Sequence, residues 1–210
     1  MVGRFITFEG GEGAGKSTAI RSLAESLTER AIPVVVTREP GGSAGAEAIR
    51  GLLVSGDPAR WDGVTEALLH YAARRDHLRC TILPALAVGH WVLCDRFSDS
   101  TVAYQGYGHG VPLADLATLY RMVAGGVRPD LTVLLDIPVS VGLERAGRRT
   151  GNDTRYERMA LDFHQRLREG FHAIAEAEPE RCVVVDATQS AETVAALVLD
   201  EVLRRFGRVA

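Results

Sequence analysis

Five short apolar runs recur along the chain, at 5–8, 34–37, 91–95, 131–136 and 182–186, each rich in Val, Ile, Leu or Phe. Runs of this length that stay apolar on both faces suit parallel strands buried inside a sheet. Between the first two, Ile20, Leu23, Ala24 and Leu27 fall at i, i+3, i+4 and i+7, which makes one apolar helix face. Helical periodicity also predicts helices over 64–88, 112–124, 138–147, 155–177 and 190–206, the last carrying Val194, Leu197, Val198 and Val202 as its stripe. Strand–helix alternation predicts an α/β fold of three layers: a five-stranded parallel sheet flanked by helices, with ligands at the carboxyl ends of the strands. No repeat, low-complexity tract or linker divides the chain, so residues 1–210 are expected to form one domain.

Composition adds limits. At 210 residues the chain can bury one sizeable core, and 46% hydrophobic with 24% charged residues is ordinary for a globular protein. The net charge of -3 calls for neither a nucleic-acid nor a membrane partner, so any anion site must be a local cluster of cations. Arg supplies nearly all the positive charge, and Lys16 is the only lysine. Cys80, Cys94 and Cys182 show no C-x-x-C spacing, and their odd number suits neither a disulfide framework nor a zinc site. Cys94 and Cys182 lie in strand-like runs and read as small buried hydrophobes. With no signal peptide before Phe5 and no long uncharged apolar stretch, a cytoplasmic protein with reduced thiols is expected.

Candidate chemistry begins directly after the first strand. Gly10, Gly11, Glu12, Gly13, Ala14, Gly15, Lys16 and Ser17 match G-x-x-x-x-G-K-S/T, with Thr18 opening the helix that follows. Strand, loop and helix in that order are the setting in which the motif cradles the phosphates of a nucleoside triphosphate. Glycines let backbone N–H groups turn inward, and the helix amino end adds favourable potential. Lys16 would bridge the β- and γ-phosphates, and the Ser17 hydroxyl would hold Mg²⁺. GTP-switch proteins add an N-K-x-D motif, which a chain whose one lysine is residue 16 cannot contain. A compact chain with this loop near its start favours a small-molecule kinase using ATP.

The arginines suggest where a second phosphate would sit. The third strand ends in Asp95-Arg96, where a carboxylate can hold magnesium and the guanidinium can fork onto a phosphate, although a strand-terminal ion pair would look the same. Arg38 ends the second strand, and Arg74 lies on a helix. Three arginines from separate segments would converge at one sheet edge beside the ATP. Residues 145–158 hold Arg145, Arg148, Arg149, Arg155 and Arg158 among Gly, Asn and Asp; this suits either a solvated surface loop or a mobile lid that brings Arg to the transferring group.

These residues resemble the thymidylate kinase family over nearly the whole chain. The shared blocks are Phe8-Glu9-Gly10, Thr37-Arg38-Glu39-Pro40-Gly41-Gly42, Tyr71-Ala72-Ala73-Arg74, Asp95-Arg96, the run at 100–106, Arg128-Pro129-Asp130-Leu131 and Arg155-Tyr156-Glu157. The resemblance implies a P-loop nucleotide-kinase fold with a lid at about 147–157, and phosphoryl transfer from ATP to dTMP. It implies Arg38 and Arg96 on the acceptor phosphate and Arg74 on the thymine edge. Ser100, Thr101 and Gln105 line the base pocket, and Tyr104 fills the space a ribose 2′-hydroxyl needs. Glu12 lies near the sugar 3′-hydroxyl or the magnesium shell, Tyr156 closes with the lid, and Mg²⁺ is held at Ser17 and Asp95, with Glu9. This P-loop carries no Arg, so catalysis falls to a lid arginine, Arg149, with Arg145 and Arg148 as rivals. A homodimer is implied too, and the helix over 64–88 could serve either as its interface or as core. One departure stands out: His70 occupies the place where the family usually stacks a Phe on thymine. An imidazole there would either stack more weakly, its charge open near neutral pH, or leave the base to another aromatic.

Two other readings share the P-loop: a nucleoside or nucleoside-monophosphate kinase of different specificity, and a nucleotide-binding switch without catalysis.

Overall fold

The computed structural model describes residues 2–148 and 155–207. The five strands are β1 (Phe5–Glu9), β2 (Val34–Arg38), β3 (Trp91–Asp95), β4 (Leu131–Asp136) and β5 (Cys182–Asp186). They form one sheet in the order β2-β3-β1-β4-β5, and every pairing is parallel. The apolar runs therefore fall where the pattern placed them, to within one residue.

Burial on both faces holds for the three central strands and fails at the margins. β1, β3 and β4 are buried along almost their whole length, whereas Val36 on β2 and Val184 on β5 are 55% and 45% exposed. An edge strand has a neighbour on one side only, so its outer flank is less fully covered.

Nine α-helices are described: α1 (Lys16–Glu29), α2 (Ala44–Val54), α3 (Gly63–His77), α4 (Leu83–Ala87), α5 (Ser98–Thr101), α6 (Leu113–Ala124), α7 (Val139–Gly147), α8 (Leu161–Ala177) and α9 (Ala191–Phe206). One sheet face, through Ile6, Phe8, Leu93, Val133 and Leu135, packs on Ile20, Leu23 and Leu27 of α1 and on Val194, Val198 and Val202 of α9. The other face packs Phe5, Val92 and Cys94 on Leu78, Ile82 and Ala124, and Leu134 on Phe163, Leu167 and Phe171 of α8. Alternate side chains of each central strand thus feed opposite layers, which makes the arrangement three-layered.

Two helix expectations need correction, and α2 and the short α5 were not expected. The helix expected over 64–88 is α3 and α4 joined by a π-helical segment, Leu78–Ile82, because Pro84 near the start of α4 has no N–H to continue an α ladder. The helix expected from 155 begins at Leu161, since Arg155 and Tyr156 are drawn into tertiary contacts described below. Helix α2 was not anticipated; its Ala- and Gly-rich sequence buries only Ala46 and Leu53 and so shows little periodicity. Of the three cysteines, Cys94 and Cys182 are buried and Cys80 is exposed. Among the described residues, no helix is long and apolar enough to cross a membrane.

Candidate active site

Parallel register sets the first contacts. Asp95 of β3 lies opposite Phe8 of β1 and Arg38 of β2, so Glu9, Arg38 and Asp95 share the carboxyl edge of the sheet. The loop from Gly10 to Gly15 rises from that edge into α1. Gly13 adopts φ 70°, and a Cβ there would come within 2.0 Å of the Gly142 carbonyl oxygen, so this residue must be glycine for α7 to lie against the loop. The amino ends of α2, α3 and α9 are capped by Ser43, Asp62 and Ser190, but α1 starts from Gly15 without a side-chain cap. Its amino end is thus left open at the loop, as an anion cradle requires, although α6, α7 and α8 also begin without a side-chain cap.

Lys16 is buried, and its Nζ donates to the carbonyls of Gly10 at 3.1 Å and Gly11 at 2.9 Å. Burial first and the Arg96 guanidinium second lower its pKa to about 8, against the opposing pull of Asp95, Glu12 and Glu9. Beside it, the Ser17 hydroxyl donates to Asp95 Oδ2 at 3.0 Å. A hydroxyl and a carboxylate oxygen in contact beside a phosphate loop form a hard-oxygen donor set that fits Mg²⁺.

From this point a cavity of about 250 Å³ runs between β3, α3 and the π-helical segment Val102–Gly108 that follows α5. Glu12, Lys16, Ser17, Arg38, Arg74, Asp95 and Arg96 line it, as do His70, Ser100, Thr101, Tyr104, Gln105 and Tyr156. The three arginines expected to converge do so, arriving from β2, α3 and the end of β3. Arg96 holds a left-handed backbone at φ 69°, an uncommon conformation for a non-glycine residue and one found at functional turns. Its Nη1 donates to Gly10 O at 2.9 Å and Ser100 Oγ at 3.1 Å, and its Nη2 to Glu12 Oε1 at 3.0 Å. Burial opposes ionisation of Glu12, but Arg96, Lys16 and the Tyr104 hydroxyl outweigh it and lower the pKa to about 2. Arg74 is buried between the rings of Tyr71 and Phe97. Arg38 is half exposed and paired with Glu47 of α2 at 2.9 Å.

His70 is half-buried, and its Nε2 lies 3.2 Å from the Tyr156 hydroxyl. That hydroxyl also donates to Glu66 at 3.2 Å, so the imidazole is the donor in the shared contact. Burial, with Arg74, Arg96, Arg155 and Arg50 adding repulsion, lowers the His70 pKa to about 3. Desolvation and the surrounding arginines thus disfavour a charged ring at the cavity.

Glu9 is placed differently from its expected partners. It is buried: one oxygen receives the backbone N–H of Phe97 at 2.8 Å and of Ser100 at 3.3 Å, and the other receives Ser100 Oγ at 2.5 Å. It braces the turn that carries Ser100, and Ser17 pairs with Asp95 without it. Burial and the Asp99 charge raise its pKa to about 7, against the hydrogen bonds from Ser100 and Phe97 and the Arg96 charge.

Gly15 borders the cavity too, and with Gly13, Ala14 and Thr18 it also lines a second cleft beside Arg145, Ala187, Gln189 and Ser190. Gly10 and Gly11 lie against α8 beside His164.

Of the lid arginines, Arg149 lies outside the described residues. Arg145 donates to Ala187 O at 2.9 Å, Arg148 pairs with Glu144 on the surface at 2.5 Å, and Arg158 donates to Gly56 O at 2.5 Å. Arg155 is fully buried against Leu53 O, Asp57 O and Glu66 and anchors the end of the segment, while Tyr156 and Glu157 line the cavity. Sequence reasoning missed Arg50, Glu39, Glu66 and His77. Arg50 sits on the unanticipated α2; Glu39 lay inside the Thr37–Gly42 block but had no partner to mark it; Glu66 and His77 carry no local signal at all.

A family model for thymidylate kinase matches residues 8–198. The thymidylate kinase of Caulobacter vibrioides is 56% identical over 205 residues, covering 98% of this chain and 98% of that protein. That of Magnetococcus marinus is 52% identical over 206 residues, again covering 98% of each, and that of one Rhodopseudomonas palustris strain is 58% identical over 196 residues, covering 92% and 85%. Among solved structures, the crystal structure of thymidylate kinase from Ehrlichia chaffeensis superimposes with a TM-score of 0.78 at 35% identity, covering 96% of this chain and 99% of that one.

Proposed function

The chain belongs to the thymidylate kinase family, and we propose that the arrangement just described transfers the γ-phosphoryl group of ATP to dTMP, giving ADP and dTDP. The observation that carries this reading is the cavity in which Arg38, Arg74 and Arg96 meet beside Lys16, Ser17 and Asp95. One anion site built from backbone amides adjoins a second built from guanidinium groups, which is what two phosphates destined for transfer need.

A phosphate monoester with its second pKa near ~6 is already mostly dianionic at neutral pH, so the acceptor needs no general base. The work lies in bringing two anions together and stabilising the equatorial oxygens in line. Lys16 exchanges its contacts with Gly10 and Gly11 for the donor phosphates. Arg96, held by Glu12 and the Gly10 carbonyl, presents its guanidinium to the acceptor phosphate, and Arg38 approaches the same phosphate from β2. Arg74 reads the base edge with Thr101, Ser100 and Gln105 around it, His70 and Tyr156 offer ring faces, and Tyr104 closes the ribose side. Mg²⁺ would be held at Ser17 and Asp95, and when bound it neutralises charge between the donor phosphates. The adenine end of ATP occupies the second cleft, beside Arg145 and Gln189.

The lid spans about 147–157 of a kinase domain covering 1–210; Arg155 roots its end, and Arg149 serves the transferring group. The protein acts in the cytoplasm as a homodimer. Dimerisation is supported by Val64, Leu68 and Ala72, which run along the exposed side of α3, and by exposed Met122 on the adjacent α6.

The deciding experiment is ADP release measured across dTMP, dUMP, CMP, UMP, AMP and GMP. Preferred turnover of dTMP is expected; rapid turnover of AMP with none of dTMP would overturn the reading.

A further inference from the structure

We propose that His77 is a positioning residue that fastens the end of β2 to α3, and so sets the spacing between the guanidinium that reads the acceptor base and the one that holds its phosphate. This rests on the assignment of Arg74 and Arg38 made above.

His77 is completely buried and does not line the acceptor cavity. Its Nδ1 lies 3.0 Å from Glu39 Oε1 and its Nε2 lies 2.7 Å from Thr37 Oγ1. Thr37 and Glu39 are the residues on either side of Arg38, so one imidazole grips the backbone segment that presents Arg38 from both flanks. The other oxygen of Glu39 receives Nε of Arg74 at 2.7 Å. Arg74 and His77 stand one helical turn apart on α3, so the Glu39 carboxylate is clasped by two side chains of the same helix. A carboxylate only accepts, which puts the proton on Nδ1; in the neutral ring Nε2 then accepts the Thr37 hydroxyl.

The Arg74 side chain is further held by Nη2 donating to Phe97 O at 2.9 Å and Thr101 Oγ1 at 3.0 Å. Its Nη1 is buried with no partner among the described residues. A buried guanidinium N–H left unpaired is costly, so this nitrogen is the one reserved for an accepting oxygen on the bound base. Its aim is decided by the clasp behind it. The turn after β2 closes the arrangement: a Cβ on Gly42 would come within 2.3 Å of His77 Nε2 and 2.4 Å of Thr37 Oγ1, and Thr81 Oγ1 donates to Gly42 O at 2.7 Å. His77 has no room to turn away, and Arg74 cannot swing without breaking Glu39 from it.

The test compares His77→Asn, whose amide can replace Nδ1 toward Glu39, with His77→Gln, whose amide reaches the Nε2 position and leaves Glu39 without its second donor. KM for dTMP, KM for ATP and kcat are measured separately, with Glu39→Gln and Arg74→Ala in the same series. His77→Gln is expected to raise KM for dTMP roughly 10-fold or more, the scale of a lost bond to a charged group, with KM for ATP unchanged and most of the loss recovered in His77→Asn. Equal KM for dTMP in both His77 variants overturns the proposal, as does a parallel rise in KM for ATP, which marks general loosening. If His77→Gln fails to fold, Thr37→Val, which removes the hydroxyl from His77 Nε2 and leaves Glu39 and Arg74 intact, decides on the same readout: a raised KM for dTMP supports the clasp and an unchanged one overturns it. An unchanged KM for dTMP in Arg74→Ala sinks the base-site assignment itself; a raised one alongside an unaffected His77→Gln sinks the His77 proposal alone.

Discussion

The Tyr104 hydroxyl donates to Glu12 Oε1 at 2.6 Å, the same oxygen that receives Arg96 Nη2 at 3.0 Å. A residue of the phosphate loop is thereby tied at one atom to both the guanidinium at the end of β3 and the ring that closes the sugar side of the cavity. Arg96 also stands 5.1 Å over the Tyr104 ring, so the three side chains brace one another.

Tyr104→Phe keeps the ring and removes the bond to Glu12. It is expected to lower kcat/KM for dTMP by about 10-fold, the scale of one charge-assisted hydrogen bond. Discrimination against the ribonucleotide of thymine is expected to persist in Tyr104→Phe and to relax in Tyr104→Ala, where the ring volume is gone. Comparing the two acceptors in both variants checks this; equal relaxation in both would remove the steric role.

Glu12 links the site to stability. Its pKa falls from 4.5 in the unfolded chain to about 2 in the folded protein. The stabilisation is therefore complete above pH 4.5 and is lost as pH drops toward 2, amounting to about 3 kcal/mol at neutral pH. Glu12→Gln is expected to unfold at lower denaturant than the wild type at pH 7, with the gap narrowing to less than half at pH 3. A gap that does not depend on pH would show that the charge of Glu12 contributes nothing.

Lys16 sets a basic limit on activity. Its pKa of about 8 in the free protein means that the ammonium is lost above that pH. The pH profile of kcat/KM for ATP is expected to fall above pH 8, while the kcat profile breaks at higher pH because bound phosphates favour the charged form. Lys16→Ala is expected to cut turnover by at least 10³-fold with an unchanged unfolding curve, on the scale of other charge-stabilising contacts in phosphoryl transfer. Near-wild-type turnover in that variant would remove Lys16 from the mechanism.

Arg148 and Arg149 are neighbours with different expected consequences. Arg148 is committed to a surface pair with Glu144, an arrangement of small energetic value. Arg148→Ala is expected to change kcat less than about 3-fold, whereas Arg149→Ala lowers kcat on the order of 10³-fold with KM for dTMP little changed. Single-turnover measurements on both variants distinguish them, and the reverse ranking would move the catalytic role to Arg148.

Much of the site was legible because its signals are local. The phosphate loop needs glycines, a lysine and a hydroxyl within eight consecutive residues, and the Asp95-Arg96 pair sits where an apolar strand stops. Arg38 and Arg96 were readable as candidates because each stands where an apolar strand stops, and Arg74 because it closes the Tyr71-Ala72-Ala73-Arg74 block on a helix. Their partners were not readable. Glu39, His77 and Glu66 are polar residues whose side-chain partners lie 35 to 90 residues away, such as Glu39 to Arg74 and Glu66 to Tyr156, and no spacing rule reaches that far. The same limit explains the helix that starts at Leu161 instead of 155, where burial of Arg155 overrides a helical pattern.

From its sequence alone, the chain specifies a parallel α/β sheet, a triphosphate cradle at its first strand and the arginines available for a second phosphate, since hydrophobic period and loop chemistry are properties of neighbouring residues. The tertiary structure decided which strands are edges, that arginines crowd around His70 and disfavour its charge, that Glu9 braces a turn beside the magnesium candidates, and that Glu39 and His77 stand behind Arg74. Those outcomes depend on desolvation and on charges brought together by strand register and helix packing, which exist only once the layers have closed on one another.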